Sequence, residues 1–161
     1  MDDARVSFGE LVEDSSEPSN GILRLTRRFN ASQERVFNAF SKADQVAAWF
    51  GPEGLTCDIE TFDARPGGRY SLVMINAENG DRYPLSGEFR EIEPFERLSY
   101  TWQWGGEQPG KETLVTLEFR PVGDLTELTL THTLHPDEHQ VSNHGKGWLS
   151  SFRDLDRLLA R

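Results

Sequence analysis

From Leu55 to Leu134 apolar and polar residues alternate along most of the chain. Leu55, Cys57 and Ile59 alternate with Thr56, Asp58 and Glu60, and Tyr70, Leu72 and Met74 with Arg69, Ser71 and Val73. Tyr83, Leu85, Gly87 and Phe89 follow, against Ser86, Glu88 and Arg90. Leu98, Tyr100, Trp102 and Trp104 face one way, with Arg97, Ser99, Thr101 and Gln103 on the other side. Val115, Leu117 and Phe119, then Leu128, Leu130, His132 and Leu134, repeat the pattern. A period of two predicts strands with one dry and one wet face. Arg65-Pro66-Gly67-Gly68, Asn79-Gly80, Glu93-Pro94-Phe95, the stretch from Gly105 to Gly110 and Val122-Gly123-Asp124 separate the runs with turn-forming residues. Pro84 and Gly87 predict an edge position or a bulge in their strand.

The period differs at both ends. Ile22 to Phe29 reads as a strand. Asn30-Ala31-Ser32 then offers caps for a short helix carrying Val36, Phe37 and Phe40 on one face. A second short helix covers Asp44 to Trp49 and ends at Phe50-Gly51-Pro52 and Gly54. Asp137 to Arg161 reads as one helix of about six turns, with Asp137 as N-cap and Gln140 completing a capping box. Val141, Gly145, Trp148, Phe152, Leu155 and Leu159 draw an apolar stripe along it, opposite Lys146, Arg153, Asp154 and Arg157. Gly145 sits on that stripe and Gly147 beside it, each costing about 1 kcal/mol relative to alanine. Two readings stay open: a close approach of the backbone to a neighbour or a fraying of the helix there, or else an open space walled by Trp148.

The element order is strand, two short helices, about six strands in a meander, and a long terminal helix. The predicted class is α+β, a curved antiparallel sheet of about six to seven strands wrapped around that helix. A helix is about 10–12 Å wide, whereas six strands at about 4.8 Å spacing span far more. The sheet must therefore curl around the helix, with the short helices closing one end, and this geometry predicts an internal cavity.

The chain of 161 residues suits one domain, expected over 21–161. Residues 1–20, with Asp2, Asp3, Glu10, Glu13, Asp14 and Glu17 facing only Arg5, read as a flexible acidic arm. The net charge of −10 argues against nucleic acid and anionic membrane surfaces as partners. No run approaches the roughly 18 apolar residues of a membrane span. The acidic start lacks the regions of a signal peptide, and Cys57 alone forms no internal disulfide, so a cytoplasmic location is expected.

Candidate chemistry is sparse. His135-Pro136-Asp137-Glu138-His139 spells H-x-x-E-H, but Pro136 keeps His135 out of the helix that zinc ligation needs. No metal, cofactor or catalytic set is therefore assigned. The sequence holds no phosphate loop, nucleophile elbow or paired catalytic carboxylates. Cys57 lies on an apolar phase and reads as an inert buried thiol. His132 shares its strand face with leucines and should point inward, as a satisfied core histidine or as a polar anchor in a pocket. Tyr70, Tyr83 and Tyr100 fall on inward phases too. The rings of Trp49, Phe50, Trp102, Trp104, Phe119, Trp148 and Phe152 exceed what one helix against one sheet needs.

Several of these words, in this order, carry a resemblance. They are Arg28-Phe29 with Ala31 and Val36-Phe37, Trp49-Phe50-Gly51-Pro52, and Arg65-Pro66-Gly67-Gly68-Arg69-Tyr70. Gly87, Arg97-Leu98-Ser99-Tyr100-Thr101-Trp102, Leu128-Thr129-Leu130-Thr131-His132 and Gly147-Trp148 follow. The chain resembles the helix-grip superfamily of START, birch-allergen-like and polyketide-cyclase proteins over roughly residues 22–160. More closely, it is similar to the family named for homology to the activator of the heat-shock-protein-90 ATPase. Ser32 stands where relatives often carry proline, which changes only the cap. The resemblance implies a pocket between sheet and long helix, in mostly bacterial proteins without assigned chemistry.

The leading expectation is therefore the binding of a small hydrophobic or aromatic ligand, lipid-like or polyketide-like. Trp49, Tyr70, Met74, Tyr83, Tyr100 and Trp102 are expected at the pocket, with Trp104, Phe119, His132, Trp148 and Phe152. The alternatives are a cyclase- or hydrolase-type enzyme using His132 with a tyrosine, and a co-chaperone-like activator of a chaperone ATPase. A monomer or weak homodimer is expected.

Overall fold

A computed structural model describes residues 9–106, 110–134 and 138–161 of the chain. The elements run β1 (Glu10–Asp14), β2 (Ile22–Phe29), α1 (Gln33–Ser41), α2 (Ala43–Trp49), β3 (Leu55–Phe62) and β4 (Arg69–Asn76). They continue with β5 (Arg82–Glu93), β6 (Arg97–Trp104), β7 (Thr113–Val122), β8 (Leu125–Thr133) and α3 (Glu138–Leu159). His135, Pro136 and Asp137, and with them the H-x-x-E-H pattern and the expected N-cap of α3, lie outside the described residues.

One eight-stranded sheet has the order β1-β2-β8-β7-β6-β5-β4-β3, and every neighbour pair is antiparallel. The architecture is the predicted α+β helix grip, with one strand more than the six to seven expected. The extra strand, Glu10–Asp14, lies within the stretch read as a flexible arm and gives that part of it regular structure. Glu10–Asp14 pairs with β2, Glu10 opposite Arg28 and Asp14 opposite Leu25. Its side chains are all exposed, so no apolar alternation announced it.

Curvature comes from local irregularities. Bulges interrupt β3 between Ile59 and Thr61 and β5 between Phe89 and Glu91, and bulges increase twist and bend. Gly87 is a point of close approach between β5 and β6. A Cβ there would lie 2.0 Å from the Thr101 carbonyl oxygen and 2.6 Å from the Tyr70 ring. The Tyr70 hydroxyl donates to that same carbonyl at 2.5 Å, and the Glu88 N–H donates to the Thr101 hydroxyl at 2.8 Å.

α3 lies on the concave face, where Trp148, Phe152 and Leu155 are buried. Phe152 meets Phe29 of β2 edge to face, with centroids 5.5 Å apart. Arg27 of β2 carries a charge into the interior. It points inward with Leu25 and Phe29 and is buried. Its guanidinium donates two hydrogen bonds to Asp156 of α3, at 3.0 and 2.6 Å, and one to the Gly9 carbonyl at 3.0 Å. The Gly9 N–H donates to Asp156 at 3.2 Å, so the approach to β1 is tied to the helix.

The short helices close one end as expected. Ser32 caps α1 by accepting the Arg35 N–H at 3.2 Å. The Arg35 guanidinium in turn donates to the Leu158 and Leu159 carbonyls at 2.9 and 2.8 Å, satisfying the C-terminal end of α3. Among the described residues no helix is long and apolar enough to cross a membrane.

Candidate functional site

The interior divides into two unequal halves. Under α1 and α2, Phe40, Trp49, Phe62, Tyr70, Phe89 and Tyr100 surround a void of only about 20 Å³. Such a void is about the size of one water probe, so this half is packed solid. Edge-to-face contacts fill it, with Phe40 and Trp49 centroids 4.8 Å apart and Tyr70 and Tyr100 5.5 Å apart. The Trp49 indole N–H is spent on the Ala39 carbonyl at 2.8 Å. Burial raises Tyr70 and Tyr100 well above the usual phenol range.

The other half is open. A cavity of about 190 Å³ lies between the loop after α2, strands β4 and β6, and the first half of α3. The loop gives Phe50, Gly51 and Pro52, the sheet Met74, Trp102 and Trp104, and α3 gives Asn143, His144, Gly147, Trp148 and Ser151. Phe50 borders both halves and is the partition between them. Gly51, at φ +118°, takes the chain across the cavity in a conformation that side-chain-bearing residues rarely adopt. Asn143 is exposed and Pro52, Trp104, His144 and Gly147 are half-buried, which puts the mouth on their side.

The two glycines of α3 separate the two readings left open by the sequence. Gly145 is buried, and a Cβ there would stand 3.3 Å from Leu23 Cδ1, so it serves close packing on β2. Gly147 borders the cavity, and the atom nearest an added Cβ is Pro52 Cγ at 3.8 Å.

Of the residues expected at a pocket, Met74, Trp102, Trp104 and Trp148 line this cavity. Trp49, Tyr70 and Tyr100 belong to the filled half. Phe119 packs on Phe37 and Phe40 of α1, at 5.3 and 5.8 Å. Phe152 lies behind Trp148, at 5.8 Å. Tyr83 pairs with Met74 across β4 and β5 but is 41% exposed.

His132 is 0% exposed and stands behind the lining rings rather than among them. Trp148 Nε1–H donates to His132 Nδ1 at 3.2 Å. The Thr113 hydroxyl donates to the Trp102 carbonyl at 3.0 Å and lies 2.9 Å from His132 Nε2. That order of donors assigns the proton to Nε2 and leaves both ring nitrogens satisfied. Burial, reinforced by the nearby His144 ring, holds His132 well below the ordinary imidazole range. It is the satisfied core histidine of the two readings.

His144 is the functional candidate that sequence reasoning missed. Its ring borders the cavity and meets His132 edge to face at 4.8 Å and Trp102 at 5.8 Å. Burial lowers its pKa as well. A signal existed: His144 and Ser151 stand four residues before and three after Trp148, flanking the stripe on its own face. The indole N–H of Trp102 is different again. Among the described residues it is the buried side-chain polar group with no hydrogen-bond partner. No group of three or more His, Cys, Asp or Glu residues able to hold a metal occurs among the described residues.

Solved structures show the same architecture. The AHSA1 protein from Silicibacter pomeroyi is 33% identical, with a TM-score of 0.77 over 86% of this chain and 97% of that one. A protein from Chromobacterium violaceum is 29% identical, with a TM-score of 0.79 over 87% of this chain and 98% of that one. A protein from Arthrobacter aurescens reaches a TM-score of 0.84 at 19% identity, over 94% and 92% of the two chains, a likeness of fold alone. No curated protein matches the chain. Residues 30–160 match the family described as Activator of Hsp90 ATPase homolog 1-like protein, and the chain belongs to that family.

Proposed function

We propose that this protein binds one small, uncharged aromatic molecule in the cavity between the loop after α2, the sheet and α3. The observation that carries the proposal is an open volume of about 190 Å³ walled by Trp102, Trp104 and Trp148. An apolar cavity of about 150 Å³ holds benzene, and drug-sized sites run from about 300 Å³. The volume therefore suits a single substituted ring better than an acyl chain. Among the described residues no Lys, Arg, Asp or Glu lines it, and His144 is held toward its neutral form by burial. A charged ligand would lose its hydration there without a counter-ion.

An enzymatic reading based on His132 has less support. Both of its nitrogens are occupied, it does not border the cavity, and Tyr70 and Tyr100 belong to the other half of the interior. A chaperone partner is supported by the family's description, whereas the ligand reading is supported by this chain's own residues.

Titration with single-ring compounds tests the proposal, followed by tryptophan emission and by melting temperature. Three of the four tryptophans line the cavity, so binding should perturb emission strongly. Gly147→Leu should fill the mouth and abolish the response while the fold persists. A panel that moves neither emission nor melting temperature at saturating concentration would refute the proposal.

A further inference from the structure

We infer that the indole N–H of Trp102 is the donor that selects the ligand, and that the ligand is a neutral aromatic carrying a hydrogen-bond acceptor. This deepens the binding reading and rests on it. Trp102 is 6% exposed and lines the cavity, and its Nε1 has no partner among the described residues. A buried donor without an acceptor loses its bond to water and gains nothing in exchange. The neighbouring polar tips are treated differently. Trp49 donates to Ala39, Trp148 donates to His132, and Thr113 is bonded on both sides. The network around Trp102 even uses its own backbone carbonyl while its side-chain donor stays unpaired.

The surroundings define what can reach that donor. The Trp102 ring is enclosed by His132 at 5.1 Å, Trp148 at 5.3 Å, Trp104 at 5.5 Å and His144 at 5.8 Å. His132 and Trp148 are buried and bonded to each other, so they stay in place. Trp104 and His144 are half-buried at the mouth, and they are the rings that an entering ligand displaces. An aromatic body then packs against the tryptophans while its carbonyl or ether oxygen accepts the Trp102 N–H. A carboxylate could accept that bond as well, but among the described residues the lining offers no cation to offset its charge.

The test compares acetophenone with α-methylstyrene, which has nearly the same shape with a methylene in place of the carbonyl oxygen, and with benzoate. Dissociation constants are measured by calorimetry for the full chain and for Trp102→Phe, which keeps a ring and removes the donor. The ratio of the two constants cancels the unequal cost of taking ketone and hydrocarbon out of water. Trp102→Phe should weaken acetophenone roughly tenfold relative to α-methylstyrene, the scale of one buried hydrogen bond. In the unsubstituted protein, acetophenone should move the Trp102 indole N–H resonance downfield, a readout that does not depend on the variant folding. Benzoate should bind at least about a hundredfold more weakly than acetophenone, the cost of an uncompensated charge.

An unchanged ratio, a stationary indole resonance at saturation, or benzoate binding as tightly as the ketone would overturn the inference. If ketone and hydrocarbon both bind and the ratio does not move, only the donor's role falls. If neither binds, the binding reading falls with it.

Discussion

Trp148 on α3 donates its indole N–H to Nδ1 of His132 on β8, at 3.2 Å, and so ties the helix to the sheet behind the cavity wall. The bond requires a neutral imidazole. Burial and the adjacent His144 push the His132 pKa well below its ordinary value of 6.5, and burial pushes His144 down too. In the unfolded chain both imidazoles return to ordinary behaviour. The unfolded state therefore takes up protons first as pH falls below about 6.5, and stability declines from there toward the depressed native values. The melting temperature should be flat from pH 8 to 7 and fall between pH 6.5 and 5, above the window where carboxylates titrate. His132→Asn should cost about 1–3 kcal/mol at pH 8, through the bonds it leaves unmade, and flatten that acid decline. An equally steep decline in the variant would remove His132 as its source.

The buried pair of Arg27 and Asp156 predicts an asymmetric mutational response. Their side chains are 9% and 6% exposed, and the guanidinium also lies over the Phe29 ring at 4.8 Å. Asp156→Ala leaves a cation in an apolar site and should cost about 3–5 kcal/mol in urea unfolding. Replacing both, as Arg27→Met with Asp156→Leu, removes the charges together and should cost much less. If the double variant is as unstable as the single one, the pair does more than compensate its own burial.

Gly87→Ala should be among the most damaging single-methyl additions. The new carbon would collide with the Thr101 carbonyl, which is backbone in a central strand and already accepts the Tyr70 hydroxyl. Relief requires β5 and β6 to part. A loss of at least about 3 kcal/mol is expected from chemical denaturation, at or beyond the upper end of ordinary overpacking. A near-neutral effect would mean that the bend at Gly87 is relaxed in solution.

The fold was largely legible because the period of two, the turn residues and the terminal stripe all demand the same packing. β1 was hidden because a strand exposed on every side chain needs no apolar alternation. The inward turn of Arg27 had no local signal, because charge in a strand usually means solvent and its partner Asp156 lies 129 residues away. The cavity followed from the mismatch of widths, but which rings line it did not. Phase alone places Tyr70, Tyr100 and Trp102 on one surface, and it is the position of α2, Phe50 and α3 that fills one end and leaves the other open. His144 escaped because it flanks the stripe instead of lying on it.

The glycines of α3 turn that distinction into a measurement. Alanine is favoured over glycine in a helix by about 1 kcal/mol. At Gly147 the added methyl meets nothing closer than Pro52 Cγ at 3.8 Å, so Gly147→Ala should stabilise the protein by roughly 0.5–1 kcal/mol. At Gly145 the same methyl presses within 3.3 Å of Leu23 Cδ1, on a side chain only 2% exposed. Repacking there should consume most or all of the helical gain, leaving Gly145→Ala neutral or destabilising. Urea midpoints of the two variants decide the matter. Equal stabilisation of both would mean that β2 and α3 yield easily to each other, and that Gly145 is not a contact of closest approach.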